Sequence, residues 1–141
     1  MGLRIQEGEL QEVIEEAKRI ANNCYSPYSK IRVVACLVCD EGKFWGVNVE
    51  NASYGLTICA ERSAIASAIS NGAKKFLWML IYSPDIIPIP CGACRQVIAE
   101  FVDGDFPIIV ATGKEKISIY KYRLIELFPH SFCIQKNHRH V

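Results

Sequence analysis

Two short stretches, far apart in the chain, constrain its fold more than anything else in it. They are Cys59-Ala60-Glu61-Arg62 and Pro90-Cys91-Gly92-Ala93-Cys94-Arg95-Gln96. Cys91 and Cys94 are three positions apart, which sets them on one face of a helix's first turn. Cys59 and Glu61 diverge around a helix, yet at its N-terminal end both reach a metal above it. A fold that uses both stretches must therefore bring two helix N-termini together. Three protein ligands and an open fourth position are the pattern of catalytic zinc. The metal acidifies the water in that fourth position toward neutral pH. A carboxylate beside the metal, but not on it, can carry protons from that water. Cys59, Cys91 and Cys94 are thus the candidate ligands of one zinc ion per chain, and Glu61 is the candidate proton shuttle.

Neither stretch is decisive alone. Cys-x-x-Cys also occurs in redox motifs and structural zinc sites, and Cys-x-Glu carries little by itself. The remaining cysteines, Cys24, Cys36, Cys39 and Cys133, read as small buried apolar residues. Cys36 and Cys39 repeat the Cys-x-x-Cys spacing, but within a strand pattern, where an odd separation sends them to opposite faces.

The chain of 141 residues has the size of one domain, 1–141, and half of its residues are apolar. No apolar run is long enough to cross a bilayer. The segment from Met1 to Glu16 is polar and acidic, unlike a signal peptide. Seven cysteines, an odd number, argue for reduced thiols and a cytoplasmic location. A net charge of +1 gives no electrostatic footprint for nucleic acid. The basic cluster from Lys136 to His140 reads as part of a flexible tail over 136–141.

Leu10, Val13, Ile14, Ala17 and Ile20 recur at helical spacing and predict a helix over 9–22. Tyr25 to Ser29 is a loop by composition. Ile31 to Cys39 reads as a strand buried on both faces. Asp40 to Lys43 turns it into a second strand, Phe44 to Asn48. A helix opens at Thr57 or Ile58 and runs to Ser70, where Asn71-Gly72 closes it. Phe76 to Tyr82 is a third strand, and a second cysteine helix starts at Cys91 and continues through Phe101. Phe106 to Ala111 and Ile117 to Tyr120 are two more strands, and Leu124 to Phe128 is a short helix. This order implies an α/β fold, a mixed five-stranded sheet with helices on its faces. The short Thr112–Lys116 link requires the last two strands to pair antiparallel.

With these motifs in view, the chain resembles the small, three-cysteine, homotetrameric cytidine deaminases, from Tyr25 to Phe132. The resemblance rests on Tyr25-Ser26-Pro27-Tyr28-Ser29-Lys30, Asn48-Val49-Glu50-Asn51-Ala52-Ser53-Tyr54 and the two cysteine stretches. It implies a three-layer α/β/α fold and hydrolytic deamination of cytidine and deoxycytidine. It implies that Asn48 and Glu50 hold the ribose, and that the Ala60 main chain and Glu61 hold the pyrimidine edge. It places Arg62 on the thiolates, with Gln96 as a second candidate donor there. Ile31 stands where the family usually has a base-stacking Phe. Phe132 matches an aromatic that reaches a neighbouring subunit's site, and Tyr54 can line the same boundary. Three thiolates on zinc carry a formal charge of −1, and the histidines, His130, His138 and His140, lie in the tail. Two helix N-termini and Arg62 are the compensating features. The competing readings are a deaminase of another cytosine nucleoside such as blasticidin S, a polynucleotide deaminase, and a structural zinc module.

Overall fold

The computed structural model describes residues 5–134. The element order is α1 (Glu7–Ile20), β1 (Val34–Cys39), β2 (Gly42–Val47), α2 (Ala60–Ser70), β3 (Phe76–Ser83), α3 (Gly92–Phe101), β4 (Pro107–Thr112), β5 (Ser118–Arg123) and α4 (Leu124–Leu127). The strands form one sheet in the order β2-β1-β3-β4-β5. Among the five strands of this sheet only β3 and β4 pair in parallel; the last pair is antiparallel, as its short link requires. The tail over 136–141, with its basic cluster, His138 and His140, lies outside the described residues.

Strand alternation divides the core into two layers. Val34, Cys36, Trp78, Leu80, Tyr82 and Ile109 face α1, where Leu10, Val13, Ile14 and Ala17 are buried. Ala35, Leu37, Met79, Ile81, Ile108 and Val110 face α2 and α3 on the other side, with Leu124 of α4 in the same cluster. The result is three layers, α/β/α. Cys36 and Cys39 fall on opposite faces, as their odd separation dictates. Among the described residues, no helix is long and apolar enough to cross a membrane.

Several boundaries differ from those read in the sequence. The first helix spans Glu7–Ile20 rather than 9–22, and its end tightens into a 3-10 turn at Ala21–Asn23. The first strand starts at Val34, not Ile31, because side chains take the N–H groups of residues 31–33 and the Ile31 carbonyl, leaving the Val33 carbonyl to accept the Asn48 main-chain N–H. Asn48 Nδ2 donates to the Ile31 carbonyl, and the Val33 N–H donates to Asn48 Oδ1. The Arg32 N–H donates to Asp85. The catalytic-side helix opens at Ala60, not Thr57 or Ile58. Ile58 instead pairs with Val49 as an antiparallel bridge, and Cys59 is the extended N-cap. The second cysteine helix likewise begins after its cysteine, with Cys91 as N-cap. The last strand continues past Tyr120 to Arg123 and forms one edge of the sheet.

One close approach sets the height of α2. A Cβ on Gly46, in β2, would overlap the Ala60 carbonyl oxygen and the Ala64 nitrogen and lie 2.9 Å from the Ser63 carbonyl carbon. The bare glycine lets the first turn of α2 rest on the strand's main chain.

Candidate active site

The two cysteine helices start side by side. Cys59 caps α2 and Cys91 caps α3, while Cys94 sits one turn into α3. Cys59 Sγ lies 3.9 Å from Cys91 Sγ, and Cys91 Sγ lies 3.6 Å from Cys94 Sγ. All three sulfurs fall within 4.8 Å of one another. Tetrahedral zinc with Zn–S bonds of about 2.3 Å sets its sulfurs about 3.8 Å apart. The Cys59–Cys91 and Cys91–Cys94 separations match that spacing, and the third lies within 4.8 Å. Cys94 is buried and Cys91 is exposed, so the metal position opens to solvent on one side.

The charges suit a thiolate site. Hydrogen bonds from Cys94, Arg62 and Cys91 hold the Cys59 thiol down to about 5. Cys94 is raised, because it shares that bond with Cys59 and is buried. Elsewhere burial pushes Cys36 up to about 12 and Cys39 up to about 11, so those two stay neutral thiols. Arg62 donates one guanidinium nitrogen to the Thr57 carbonyl at 3.2 Å and to Cys59 Sγ at 3.8 Å. Its Nε is buried without a hydrogen-bond partner among the described residues.

Glu61, in the first turn of α2, is 4% exposed. Burial, with the charge of Cys59 added, pushes its carboxyl up to about 7. Arg95 braces the second stretch by donating to the Pro90 carbonyl at 2.8 Å and to the Leu127 carbonyl at 2.9 Å. Gln96, a candidate donor to the thiolates, turns elsewhere: its amide donates to the Phe132 carbonyl at 3.1 Å. That bond ties α3 to the segment after α4. Phe132 itself is 67% exposed.

The Asn48–Tyr54 stretch lies beside this centre, because the Val49–Ile58 bridge folds it back against the start of α2. Glu50 accepts hydrogen bonds from the Tyr28 and Ser29 main-chain nitrogens and from the Ser29 hydroxyl. The Ser29 hydroxyl is the main cause that holds its carboxyl below the ordinary range. An open cavity of about 280 Å³ is lined by Tyr28, Ser29, Glu50, Asn51, Tyr54 and Thr57. The rings of Tyr28 and Tyr54 meet edge-on at 6.3 Å. Asn48 is buried and spends one donor and one acceptor on residues 31–33. Ile31 is half-buried in that same segment.

Ser29 was missed as a member of the site, although its loop was picked out. Its hydroxyl serves both Glu50 and the Ile31 N–H, and Ser29 precedes Lys30, a non-glycine residue with φ of 65°. Thr57 was missed too. Its hydroxyl accepts the Asn51 N–H while its carbonyl accepts Arg62. The available signals were the hydroxyl two residues before Cys59, for Thr57, and membership of the Tyr25–Lys30 motif, for Ser29.

This geometry makes a direct prediction about the metal. Cys91→Ala is expected to lose stoichiometric zinc, measured by atomic absorption on the purified protein, whereas Cys39→Ala is expected to retain it. Full retention in Cys91→Ala, or loss in Cys39→Ala, refutes the ligand assignment.

Comparison with known proteins agrees with this site. Residues 8–110 match the family model described as the cytidine and deoxycytidylate deaminase zinc-binding region. The chain is 37% identical over 126 residues to a cytidine deaminase of Sporosarcina psychrophila, covering 88% of this chain and 91% of that protein. It is 43% identical over 127 residues to a probable cytidine deaminase of Dictyostelium discoideum, covering 88% of this chain and 84% of that one. The crystal structure of a cytidine deaminase from Burkholderia pseudomallei superposes with a TM-score of 0.77 at 36% identity. That match covers 91% of this chain and all of the other. With three sulfurs placed for zinc and a buried glutamate beside them, this chain belongs to the cytidine and deoxycytidylate deaminase zinc-binding family.

Proposed function

We propose that this protein hydrolyses cytidine and deoxycytidine to uridine and deoxyuridine, with release of ammonia. The observation that carries the reading is the pairing of a zinc-sized sulfur triangle with a buried, non-ligating carboxylate at Glu61. Zinc held there supplies, when bound, an electrophile that acidifies water near neutral pH. Glu61 moves two protons. It takes the first from the attacking water and delivers it to ring N3 as the water oxygen bonds to C4. It then carries the proton of the new hydroxyl to the amine, the C4–N4 bond breaks, and ammonia leaves. Arg62 steadies the Cys59 sulfur, and the Ala60 main chain at the start of α2 orients the pyrimidine edge.

Glu50 and Asn48 are the sugar-binding pair in this reading. The support is that Glu50 lines the open cavity with its acceptor capacity not exhausted, and that Asn48 keeps a donor and an acceptor beyond those spent on residues 31–33. A screen of cytidine, deoxycytidine, cytosine and blasticidin S, with zinc measured alongside, tests the function. Turnover of the two nucleosides is expected; turnover of blasticidin S alone refutes the proposal. Glu50→Ala is expected to lower kcat/KM for cytidine by about a hundredfold or more, while free cytosine is little affected. A site built to bond hydroxyls leaves polar groups unpaired when they are lost. Equal losses on nucleoside and base count against the sugar role.

We further propose a homotetramer whose sites are completed between subunits, with Phe132 and Tyr54 on that boundary. Their exposure, 67% and 78%, supports it. Mixing Glu61→Gln with Phe132→Ala protein under subunit exchange is expected to raise activity above the sum of the parents. No rise after verified exchange confines each site to one chain.

A further inference from the structure

Residues 29–33 carry Ile31 and run along the sugar side of the site, outside the named strands. The main chain holds them at two points, where the Lys30 N–H donates to the Ser26 carbonyl and the Asn48 N–H to the Val33 carbonyl. Side chains make the remaining contacts. The Ile31 N–H donates to Ser29 Oγ, and the Ile31 carbonyl and Val33 N–H are both taken by Asn48. The residue between them, Arg32, is held by a different partner. Its main-chain N–H donates to Asp85 Oδ2 at 2.9 Å, its Nε to the same oxygen at 3.0 Å, and its terminal nitrogen to Oδ1 at 2.9 Å. Asp85 therefore grips both the backbone and the guanidinium fork of one residue.

Asp85 is itself fixed. Its N–H and that of Ile86 both donate to the Ser83 hydroxyl, and Ser83 is fully buried at the end of β3. The Ile86 carbonyl accepts from the Thr112 hydroxyl on β4. The loop that starts at Asp85 ends at Pro90, whose carbonyl is clamped by Arg95, and the next residue is Cys91. The ion pair thus connects the segment gripped by Asn48 to the loop that delivers two sulfurs to the metal triangle.

We propose that Arg32 and Asp85 are positioning residues for nucleoside binding, which act by fixing residues 31–33 and, through them, the Asn48 amide. This inference rests on the nucleoside-deaminase reading above. A bidentate guanidinium–carboxylate pair fixes direction as well as distance, which a lysine ammonium does not. The pair's side chains are 35% and 21% exposed, so solvent reaches it, and the two-pronged geometry rather than burial gives it direction. The pair touches neither the sulfurs nor Glu61, so its loss falls on binding rather than on the chemical step.

The test is steady-state kinetics on zinc-loaded Arg32→Ala, Arg32→Lys, Asp85→Asn and the Arg32→Ala/Asp85→Asn double variant. Loss of uniform binding raises KM with kcat unchanged, so each alanine or asparagine variant should raise KM for cytidine about tenfold and leave kcat within about twofold. Arg32→Lys should fall between, and the double variant should be no worse than either single one. KM for free cytosine should stay within about twofold of the unsubstituted enzyme. Zinc content and the thermal midpoint are read on every variant. An unchanged KM in Arg32→Ala and Asp85→Asn overturns the positioning role while leaving the deaminase reading intact. A parallel fall in kcat, zinc and thermal midpoint assigns the pair to the scaffold and also overturns it. Absence of cytidine turnover by the unsubstituted enzyme overturns the functional reading, and this role with it.

Discussion

Glu61→Gln is expected to keep its zinc and its fold and to lose about a thousandfold in kcat on cytidine, within the range that general acid–base catalysis supplies. The amide is the same size, so the first turn of α2 and its packing are preserved. It can still donate and accept hydrogen bonds, so the pyrimidine edge can still bind. It cannot release and recover a proton at neutral pH, and both transfers assigned to Glu61 fail together. KM is expected to change little. Zinc content by atomic absorption and kcat by absorbance change are the paired measurements. Near-normal turnover in a zinc-replete Glu61→Gln protein moves the proton shuttle to another group.

Gly46→Ala is expected to be as damaging by a wholly different route. The added methyl would overlap the Ala60 oxygen and Ala64 nitrogen, which are backbone atoms of α2 and cannot swing aside like the end of a side chain. Either α2 lifts from the sheet or β2 bends away. Lifting α2 carries Cys59 and Glu61 away from Cys91 and Cys94, since the two pairs ride on different helices. Overpacking in a tight interior costs about 3 kcal/mol at the upper end of its usual range. For a chain of this size that lowers the thermal midpoint by about 10 °C. Zinc affinity is expected to fall with it. A Gly46→Ala protein with unchanged midpoint and full zinc would mean that α2 can shift without cost.

What could be read in the residues, and what could not, divides along the distance between partners. The sulfur triangle was legible because each cysteine sits at a helix start, where spacing within a few residues decides direction. The alternation of Val34 to Cys39 gave its two faces correctly for the same local reason. The start of that strand was misread because Ile31 and Val33 are apolar and look like strand. Their main-chain groups are taken by Asn48, 15 residues from Val33, and Arg32 is held by Asp85, 53 residues away. No local pattern announces such partners. The start of α2 was misplaced in the same way, by the bridge between Ile58 and Val49. Gln96 was read as a second donor to the thiolates beside Arg62, but a residue two positions beyond Cys94 along a helix points to another side, here toward the Phe132 carbonyl.

β5 has a consequence for how the molecule behaves in a crowded solution. A free sheet edge offers unpaired main-chain groups to any strand that drifts by, and long apolar edges nucleate aggregates. Here that edge carries Lys121 and Arg123 within a strand that is mostly solvent-facing. Arg123 is paired with Asp105 and Glu126, which leaves Lys121 as the uncompensated charge, and both long side chains must be desolvated before a ladder can form between two such edges. The charge discourages this end of the sheet from growing into open-ended fibrils.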